Sequence, residues 1–347
     1  MSKCRVVVLF GGVSEEHDIS VKSAGEIAKS INKNIYEVIF IGITKKGEWK
    51  LCDSPKQGWE KDAKVTAIIS PDRMQRGILL FEEDNVRICP VDVIYPVMHG
   101  KMGEDGQVQG LLEMSGLPYV GCGIEASVIG MDKALTHLVA QKVNVATPKF
   151  WVVDVTKGEE VPKLKYPVFV KPARSGSSFG VTKVERESEL KAAIKEAAKY
   201  DKKVIVEEAI TGVEIGCAVM GNQEEVITGE VDMICLSHGF FRIHQEENPE
   251  GGSTNAIIQA PAPISEAVVD KVKETAKTIY KGMGCEGLAR VDLFLKEDET
   301  VVLNEVNTMP GCTCYSRYPR MMQASGMKME EMVDRLIQLA LARNYEE

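Results

Sequence analysis

Short apolar runs, separated by segments of helical periodicity, dominate the first part of the chain. Residues 6–10 form a continuous apolar run, typical of a buried parallel strand, and a glycine pair follows as a turn. Apolar residues then recur at helical spacing over 21–31, and further strand-like runs occupy 37–44 and 91–98. This order predicts a doubly wound α/β domain with a parallel sheet over residues 1–121.

The pattern changes over residues 122–211, which are expected to form a central α+β domain. The order of its elements favours an antiparallel sheet with helices on one face. The expected elements are a helix over 131–143, a strand over 166–171, a Ser/Gly-rich loop over 172–180, a strand near Val181, a helix over 187–200 and a strand over 204–208.

The C-terminal domain is expected over residues 212–347. Residues 236–257 are polar, contain glycine and hold few core-type residues, which is typical of a functional lid loop. The other expected elements are amphipathic helices around 268–283 and 332–339 and strands over 288–294 and 301–306. The whole chain therefore predicts three domains of α/β and α+β architecture.

Composition narrows the functional classes. The 347 residues are 44% hydrophobic and 27% charged, and 42 basic against 51 acidic side chains give a formal net charge of −9. This balance argues against disorder and against a nucleic-acid partner, which would call for a basic surplus. No apolar run approaches the roughly 18 residues of a membrane span, so no membrane partner is expected and the expected location is cytoplasmic.

The nine cysteines are expected to be thiols rather than disulfides. Their number is odd, and most lie singly in apolar stretches, as buried small hydrophobes do. Cys312 and Cys314 form the only close pair, and they lack the spacing and the further ligands of a zinc site. No structural metal of that type is predicted.

Two strands near the end of the chain carry the strongest chemical signal. Arg290 and Asp292 lie two residues apart in one strand, and Glu305 and Asn307 do the same in the next, so each pair shares a face. Three oxygen ligands beside a cation suit divalent metals that bridge phosphates. The alternative is an exposed face with ordinary surface acids. It fits less well because the flanking residues are apolar, and buried carboxylates need a cation or hydrogen-bond donors.

A Ser/Gly-rich loop supplies a second signal. The loop over 174–180 joins two strands and offers backbone N–H groups and hydroxyls, which a phosphate-covering loop needs, although Ser/Gly hairpins are also common. It lacks the Gly-Lys-Ser/Thr of a Walker A sequence. Lys171 ends the apolar strand before this loop and must reach an anion or solvent, and ATP phosphates would serve. Lys133, in a mainly apolar helix, needs such a partner as well.

A third cluster is expected at the carboxyl end of the first strand. Glu15 and Glu16 lie where the first helix begins, at the crevice in which open α/β sheets bind ligands. Favourable interaction with the helix dipole would explain acids there equally well. His99 ends another strand of the same sheet and faces the same crevice, although a lone histidine is more often structural.

Three motifs together establish a family resemblance. They are Glu305-Val-Asn-Thr-Met-Pro-Gly311, Lys171-Pro-Ala-Arg-Ser-Gly-Ser-Ser-Phe-Gly180 and His99-Gly-x-x-Gly-Glu-Asp-Gly106. The set resembles the D-alanine–D-alanine ligase family of ATP-grasp enzymes, and the resemblance extends from Gly11 to the final helix. Phe240-Phe-Arg-Ile-His-Gln-Glu246 and Ser316-Arg-Tyr-Pro-Arg-Met-Met322 further resemble the D-alanine–D-lactate ligases of glycopeptide resistance.

The resemblance implies a three-domain ATP-grasp fold with ATP between the central and C-terminal domains. In the implied reaction, the carboxylate of a first D-alanine attacks ATP to give an acyl phosphate. D-lactate, or another D-2-hydroxy or D-amino acid, then attacks the acyl carbon. The product would enter modified peptidoglycan precursors and confer glycopeptide resistance. Two Mg²⁺ (or Mn²⁺) ions and a homodimer are also implied.

The resemblance also implies which residues form the site. The implied catalytic residues are Glu16, Ser177, His244, Arg290 and Gly311, and the implied substrate contacts are Glu16, His99, His244, Ser316 and Arg317. The implied ATP contacts are Lys133, Phe169, Lys171, Ser177, Ser178, Glu207, Glu208, Ala209, Ile210, Glu214, Phe294, Asn304 and Glu305. The implied metal ligands are Asp292, Glu305 and Asn307, with Glu305 bridging two ions.

The substrate contacts have distinct implied roles. Glu16 would hold the ammonium of the first D-alanine. Arg290 and the backbone N–H of Gly311 would stabilise the oxyanion. Ser316 and Arg317 would dock the carboxylate of the second substrate.

The chain departs from the family pattern at Cys312 and Cys314, where Phe and Ser are usual. Two alternatives stay open at this point. A D-alanine–D-alanine or D-alanine–D-serine ligase would differ only in the second substrate, and His244, in place of a Tyr- and Lys-bearing segment, is the discriminating feature. A non-catalytic nucleotide-binding homologue is disfavoured by the intact acids Asp292 and Glu305 and by both lysines.

Overall fold

The protein is described by a computed structural model over residues 3–157, 161–176, 179–239 and 254–343, and its strands form three sheets. The first sheet contains β1 (Cys4–Gly11), β2 (Tyr36–Ile43), β3 (Trp49–Cys52), β4 (Thr66–Ile69), β5 (Gly77–Glu82), β6 (Asn85–Pro90) and β7 (Val93–Val97). Its strand order is β6-β5-β4-β3-β2-β1-β7. The predicted parallel pairing is confirmed for β1 with β2 and with β7.

The first sheet is mixed rather than wholly parallel, because β3 to β6 extend it with antiparallel pairs. The sequence expectation did not include these strands. Antiparallel neighbours need only short turns, so no α-helix separates them to mark where each strand begins and ends.

Helices cover both faces of the first sheet. α1 (His17–Ser30) and the last helix, α8 (Met329–Leu341), share one core with β1, in which Val8, Ile27 and Leu336 are fully buried. α2 (Gln107–Ser115) packs on the other face, where Leu9 and Leu112 are buried together. The C-terminal helix α8 therefore completes the hydrophobic core around β1 and α1.

The second sheet is a small antiparallel sheet with one polar face. It contains β8 (Phe150–Asp154), β9 (Val168–Pro172), β10 (Thr182–Val184) and β11 (Lys203–Glu208), in the order β10-β9-β11-β8. Val168 and Val206 belong to a core shared with α5 (Glu187–Ala197). Because strand residues alternate between faces, Phe169, Lys171 and Glu207 lie on the face opposite that core.

The third sheet is antiparallel and lies between two helix layers. It contains β12 (Val213–Gly221), β13 (Val226–Leu236), β14 (Ala256–Gln259), β15 (Gly287–Leu295) and β16 (Val301–Asn307), in the order β14-β13-β12-β15-β16. α6 (Glu266–Gly282) packs on one face, and α7 (Arg317–Ala324) packs with α8 on the other.

The helix that was expected over 131–143 is α4 (Lys133–Lys142), and a further helix that was not expected, α3 (Ile124–Met131), precedes it. Asp132 separates them because its backbone is extended, with ψ at 101°, and its carboxylate accepts hydrogen bonds from the N–H groups of Ala134 and Leu135. The apolar side chains of both helices join the core of the third sheet.

The nine cysteines are free thiols, as predicted. The buried ones are Cys122, Cys217, Cys285 and Cys312, whereas Cys235 and Cys314 are exposed. The expected burial was therefore wrong for Cys235, which lies near the end of β13. Among the described residues, the helices are too short or too polar to cross a membrane.

Leu336→Ala should lower the free energy of unfolding by about 2–5 kcal/mol, because it removes a fully buried side chain between α8 and the first sheet and leaves a cavity. Urea-induced unfolding followed by circular dichroism measures this loss. Leu341→Ala is the matched control, since Leu341 lies on the same helix but is 37% exposed, and it should cost less than about 1 kcal/mol. Equal losses in the two variants would contradict the packing of α8.

Candidate active site

The pairing of β15 with β16 gathers the predicted metal ligands on one face of the third sheet. Arg290 lies opposite Asn307, and Asp292 lies opposite Glu305. The intervening Val291 is buried in the core beneath them. The structure thus brings together the four residues that the strand pattern had placed side by side.

A β-bulge sets the direction of the β16 side chains. Leu293 pairs with Leu303, so the register shifts and Asn304 becomes an extra residue in β16. Leu303 and Val306 both enter the core, although they are three residues apart, whereas Asn304 and Glu305 stay partly exposed. Without the bulge, strict alternation would turn Glu305 into the core together with Leu303.

Asp292 is a buried carboxylate, 2% exposed, with guanidinium groups on both of its oxygens. Arg290 donates through Nε at 2.8 Å to Oδ1 and through Nη2 at 2.7 Å to Oδ2. Asn307 Nδ2 donates to Oδ2 at 2.9 Å, and Arg317 Nη1 lies 3.1 Å from Oδ1. These contacts compensate for the desolvation of the carboxylate.

Arg317 is enclosed by carboxylates rather than open to a substrate. Its side chain is 4% exposed, and its Nε and Nη2 donate to Asp232 at 2.8 and 2.7 Å. Its Nη1 lies 3.1 Å from Glu214 Oε1 and 3.1 Å from Asp292 Oδ1. The guanidinium is thus engaged by three acids and holds them together. The predicted role of Arg317, docking a substrate carboxylate, stays a prediction.

One member of this ion network, Asp232, was not predicted from the sequence. It is fully buried in β13, and an acid between apolar residues of a strand was a signal that could have found it. Gly216 leaves room for the network, since a Cβ there would lie 2.3 Å from Arg317 Nη2 and 2.7 Å from Asp232 Oδ1. No local pattern indicates this, because Arg317 lies far along the chain.

The two predicted phosphate lysines reach the site from different elements. Lys133 is the first residue of α4, and its Nζ donates to the carbonyl oxygen of Ser175 at 2.8 Å and lies 3.6 Å from Glu305 Oε2. Lys171, on β9, donates to Glu207 Oε2 at 2.7 Å. Lys133 therefore connects the Ser/Gly-rich loop with β16, so the second and third sheets meet at the predicted nucleotide site.

Glu207 directs its carboxylate inward. The residue is 3% exposed, and Nε2 of His137 lies 2.9 Å from its Oε1. Burial alone would raise the pKa of Glu207, but the charge of Lys171 and the hydrogen bond from His137 outweigh burial and hold the pKa at about 2. Both oxygens of the carboxylate are therefore occupied by His137 and Lys171, so any contact of Glu207 with ATP would involve its backbone.

The remaining predicted ATP contacts lie around the junction of β11 and β12. Glu208 and Ala209 donate their backbone N–H groups to the carbonyls of Lys149 at 2.9 Å and Pro167 at 3.2 Å, and Ile210 follows them. Phe169 lies beside Lys171, with Nζ 5.7 Å from the ring centroid. Phe294 pairs with Glu214 across β15 and β12, and burial raises the pKa of Glu214 although Arg317 opposes this effect.

The predicted first-substrate residues lie at the carboxyl end of β1. Glu16 directly precedes α1, and the neighbouring Ser14 donates to the carbonyl of His99 at 2.7 Å. The His99 ring lies 3.0 Å from the carbonyl of Met309 through Nδ1 and 3.2 Å from Ser23 Oγ through Nε2. Burial lowers the pKa of His99, against the opposing charge of Glu16, so the ring is neutral at pH 7. His99 therefore connects α1 with the Pro-Gly turn after β16.

Glu104 is a second carboxyl group near Glu16, and the sequence analysis gave it no role. Its Oε1 accepts the N–H of Gly100 at 2.8 Å. Burial, followed by the charge of Glu16, raises the pKa of Glu104 to about 8. A Cβ on Gly100 would lie 2.6 Å from Glu16 Oε2, and one on Gly176 would lie 3.9 Å from the same oxygen. Glu16 thus lies against the Ser/Gly-rich loop.

The turn after β16 is held by its own hydroxyl groups. Ser316 Oγ accepts the N–H of Thr313 at 3.2 Å and lies 2.6 Å from Thr313 Oγ1. A Cβ on Gly311 would lie 2.9 Å from Ser316 Oγ, so a larger residue at this position would require the Ser316 hydroxyl to move. Cys312 is buried and Cys314 is exposed, so only the first of the two departures from the family pattern affects packing.

Three predicted site residues, Ser177, Ser178 and His244, lie outside the described residues. Most of the expected lid over 236–257 lies outside them as well. Their roles stay predictions.

Comparisons with known proteins agree along the whole chain. The profile of the D-ala D-ala ligase N-terminus matches residues 5–122, and the profile of its C-terminus matches residues 131–338. The vancomycin/teicoplanin A-type resistance protein VanA of Enterococcus faecium is 54% identical over 98% of this chain and 99% of its own length. A Streptomyces coelicolor protein with the provisional name D-alanine–D-lactate ligase is 53% identical over 98% of this chain and 99% of its own length.

A solved structure extends this likeness to three dimensions. The VanG D-Ala:D-Ser ligase of Enterococcus faecalis superposes with a TM-score of 0.89 at 40% identity, over 98% of this chain and 100% of that chain. The three sheets and the site between them define an ATP-dependent ligase of the ATP-grasp class. The chain belongs to the D-alanine–D-alanine ligase family.

Glu207→Gln should remove a pH-dependent part of the stability. The folded pKa of about 2 lies below the ordinary value of 4.5, so the ionised carboxylate stabilises the fold fully above pH 5 and loses this effect as pH falls toward 2. The wild type should therefore exceed the variant by about 3 kcal/mol at pH 7, with the difference closing by about pH 2. Urea unfolding at a series of pH values measures it.

Glu208→Gln, at the next and more exposed position, is the control for this experiment, and it should follow the wild-type pH dependence. A difference between wild type and Glu207→Gln that is the same at every pH would contradict the ion pairs described for Glu207.

Proposed function

We propose that the enzyme joins D-alanine to D-lactate at the expense of ATP, for peptidoglycan precursors that confer glycopeptide resistance. The observation that carries this proposal is the convergence of Lys133, Lys171, Asp292 and Glu305 where the second and third sheets meet. The choice of D-lactate is supported by the name of the Streptomyces coelicolor relative, and the resistance context by the name of VanA.

The reaction divides into two steps. The carboxylate of the first D-alanine attacks the γ-phosphorus of ATP. ADP leaves from this phosphorus, and the product of the step is an acyl phosphate. The hydroxyl of D-lactate then attacks the acyl carbon, loses its proton, and phosphate leaves. Lys133 and Lys171 would stabilise the transferred phosphoryl charge, Glu16 would hold the ammonium of the first substrate, and Arg290 with the Gly311 N–H would stabilise the oxyanion.

The oxygen donors on β15 and β16 fit Mg²⁺ or Mn²⁺. Asp292 and Glu305 contribute carboxylates, and Asn307 donates to Asp292 through Nδ2, which leaves its amide oxygen for a cation. This amide oxygen is needed as a third ligand, because the described residues contain no group of three or more His, Cys, Asp and Glu that could hold a metal. Bound metal would supply positive charge to the phosphates.

D-serine or D-alanine is the alternative second substrate. D-serine is the second substrate in the name of the VanG ligase, whose structure superposes on this chain with a TM-score of 0.89. The domain ranges 1–121, 122–211 and 212–347, the lid, the homodimer and the cytoplasmic location complete the proposal as predictions from sequence and family resemblance.

Glu305→Gln should abolish ligation while leaving the fold intact, because it removes a carboxylate that faces both Lys133 and the proposed metals. A loss of several kcal/mol of transition-state stabilisation corresponds to about 10³-fold or more in kcat. Phosphate release with D-alanine and ATP measures it. Glu297→Gln, in the exposed turn between β15 and β16, should be unaffected, and near-normal turnover of Glu305→Gln in saturating Mg²⁺ would contradict its role.

Product analysis with D-alanine and D-lactate in competition tests the choice of second substrate. The wild type should give mainly ester near pH 6–7 and gain dipeptide as pH rises, because a protonated His244 would attract anionic D-lactate and repel the ammonium of D-alanine. Deprotonation of the amine alone would give a similar trend. His244→Ala is therefore the deciding variant, and an unchanged ester-to-dipeptide ratio at pH 6 would exclude His244 as the selector.

A further inference from the structure

His137 is a fully buried histidine on α4 whose ring contacts the carboxylate of Glu207. Its exposure is 0%, and Nε2 lies 2.9 Å from Glu207 Oε1. An ionised carboxylate only accepts hydrogen bonds, so Nε2 carries the hydrogen and donates it. Nδ1 has no hydrogen-bond partner within the described part of the chain.

The second oxygen of Glu207 holds Lys171. Lys171 Nζ lies 2.7 Å from Oε2, and the two residues are diagonal neighbours on β9 and β11. The carboxylate is thus held at one oxygen from α4 and at the other from β9. A lysine ammonium has three N–H donors, so the bond to Glu207 leaves two for phosphate oxygens.

α4 affects both lysines of the proposed nucleotide site. Lys133 and His137 lie four residues apart on this helix and therefore share a face. Lys133 is itself fixed by the carbonyl of Ser175 at 2.8 Å. α4 thereby places Lys133 directly and Lys171 through His137 and Glu207.

We propose that His137 is a positioning residue that orients Lys171 toward ATP through the carboxylate of Glu207. The inference rests on the proposed function, in which Lys171 contacts the phosphates. Without His137, Glu207 would keep a single partner and could rotate, and the ammonium of Lys171, on its flexible four-carbon side chain, would lose its fixed direction.

The test is the affinity of the full-length enzyme for a non-hydrolysable ATP analogue with Mg²⁺, measured by calorimetry. His137→Leu removes the donor but keeps apolar bulk, and it should weaken binding roughly tenfold, the usual effect of one hydrogen bond to a charged group. The KM for ATP should rise in parallel, and the KM for the first D-alanine should not change. His137→Gln retains an amide donor and should recover most of the affinity.

Thr136→Val is the matched control, because Thr136 is the adjacent buried residue and its Oγ1 donates to the carbonyl of Ile129 at 2.6 Å, away from Glu207. It should lower the thermal midpoint without changing ATP affinity. In a Lys171→Met background, His137→Leu should cause no additional loss of affinity, because the group that it orients is gone.

Two results would overturn the positioning role: unchanged ATP affinity in His137→Leu, or an additive loss in the Lys171→Met background. A failure of the proposed function would look different. The wild-type enzyme would then bind the ATP analogue but would not ligate D-alanine.

Discussion

The carboxylate of Asp292 is buried, and a charge that is removed from water must be compensated by neighbouring groups. Much of the surrounding structure depends on this requirement. Burial of such a charge costs several kcal/mol unless cations and donors surround it. Arg290 meets part of the requirement from the same strand, and Arg317 meets the rest from α7. Arg317 in turn needs the buried carboxylate of Asp232, and the space for its guanidinium exists because residue 216 is glycine. This ion network thus helps to hold α7 on the third sheet, together with the apolar contacts of Tyr318, Met321 and Met322.

The same network holds charged groups in fixed positions beside the proposed nucleotide site. Charges that are held in place before the reaction stabilise a developing charge without the cost of reorienting solvent. Asp292 is held by two guanidiniums, whereas Glu305 is partly exposed and, among the ion pairs of the described residues, faces only Lys133. Asp292 is therefore anchored in the sheet, and Glu305 is the more accessible of the two proposed metal ligands.

Elements that local periodicity specifies were predicted, and elements that depend on distant partners were not. β1, α1 and β7 were anticipated because each is a continuous or regularly spaced apolar segment. The antiparallel strands β3 to β6 were missed, because short strands joined by turns resemble irregular loops in a single sequence.

The site divides in the same way. Arg290, Asp292, Glu305 and Asn307 could be grouped from strand alternation. Glu16 and the two lysines were singled out from their positions at strand and helix ends or within an apolar helix, and the family resemblance supplied their roles. The partners of Arg317 were not foreseen, since they lie on β12, β13 and β15, and only the folded chain brings them together.

The hydrophobic cores distinguish the second sheet from the other two. The first and third sheets share one core through α7 and α8, but the core of the second sheet is built from residues 151–206 alone. Polar contacts such as Lys203 with Asp132 therefore set the position of the second sheet, which is why α4 matters to the nucleotide site.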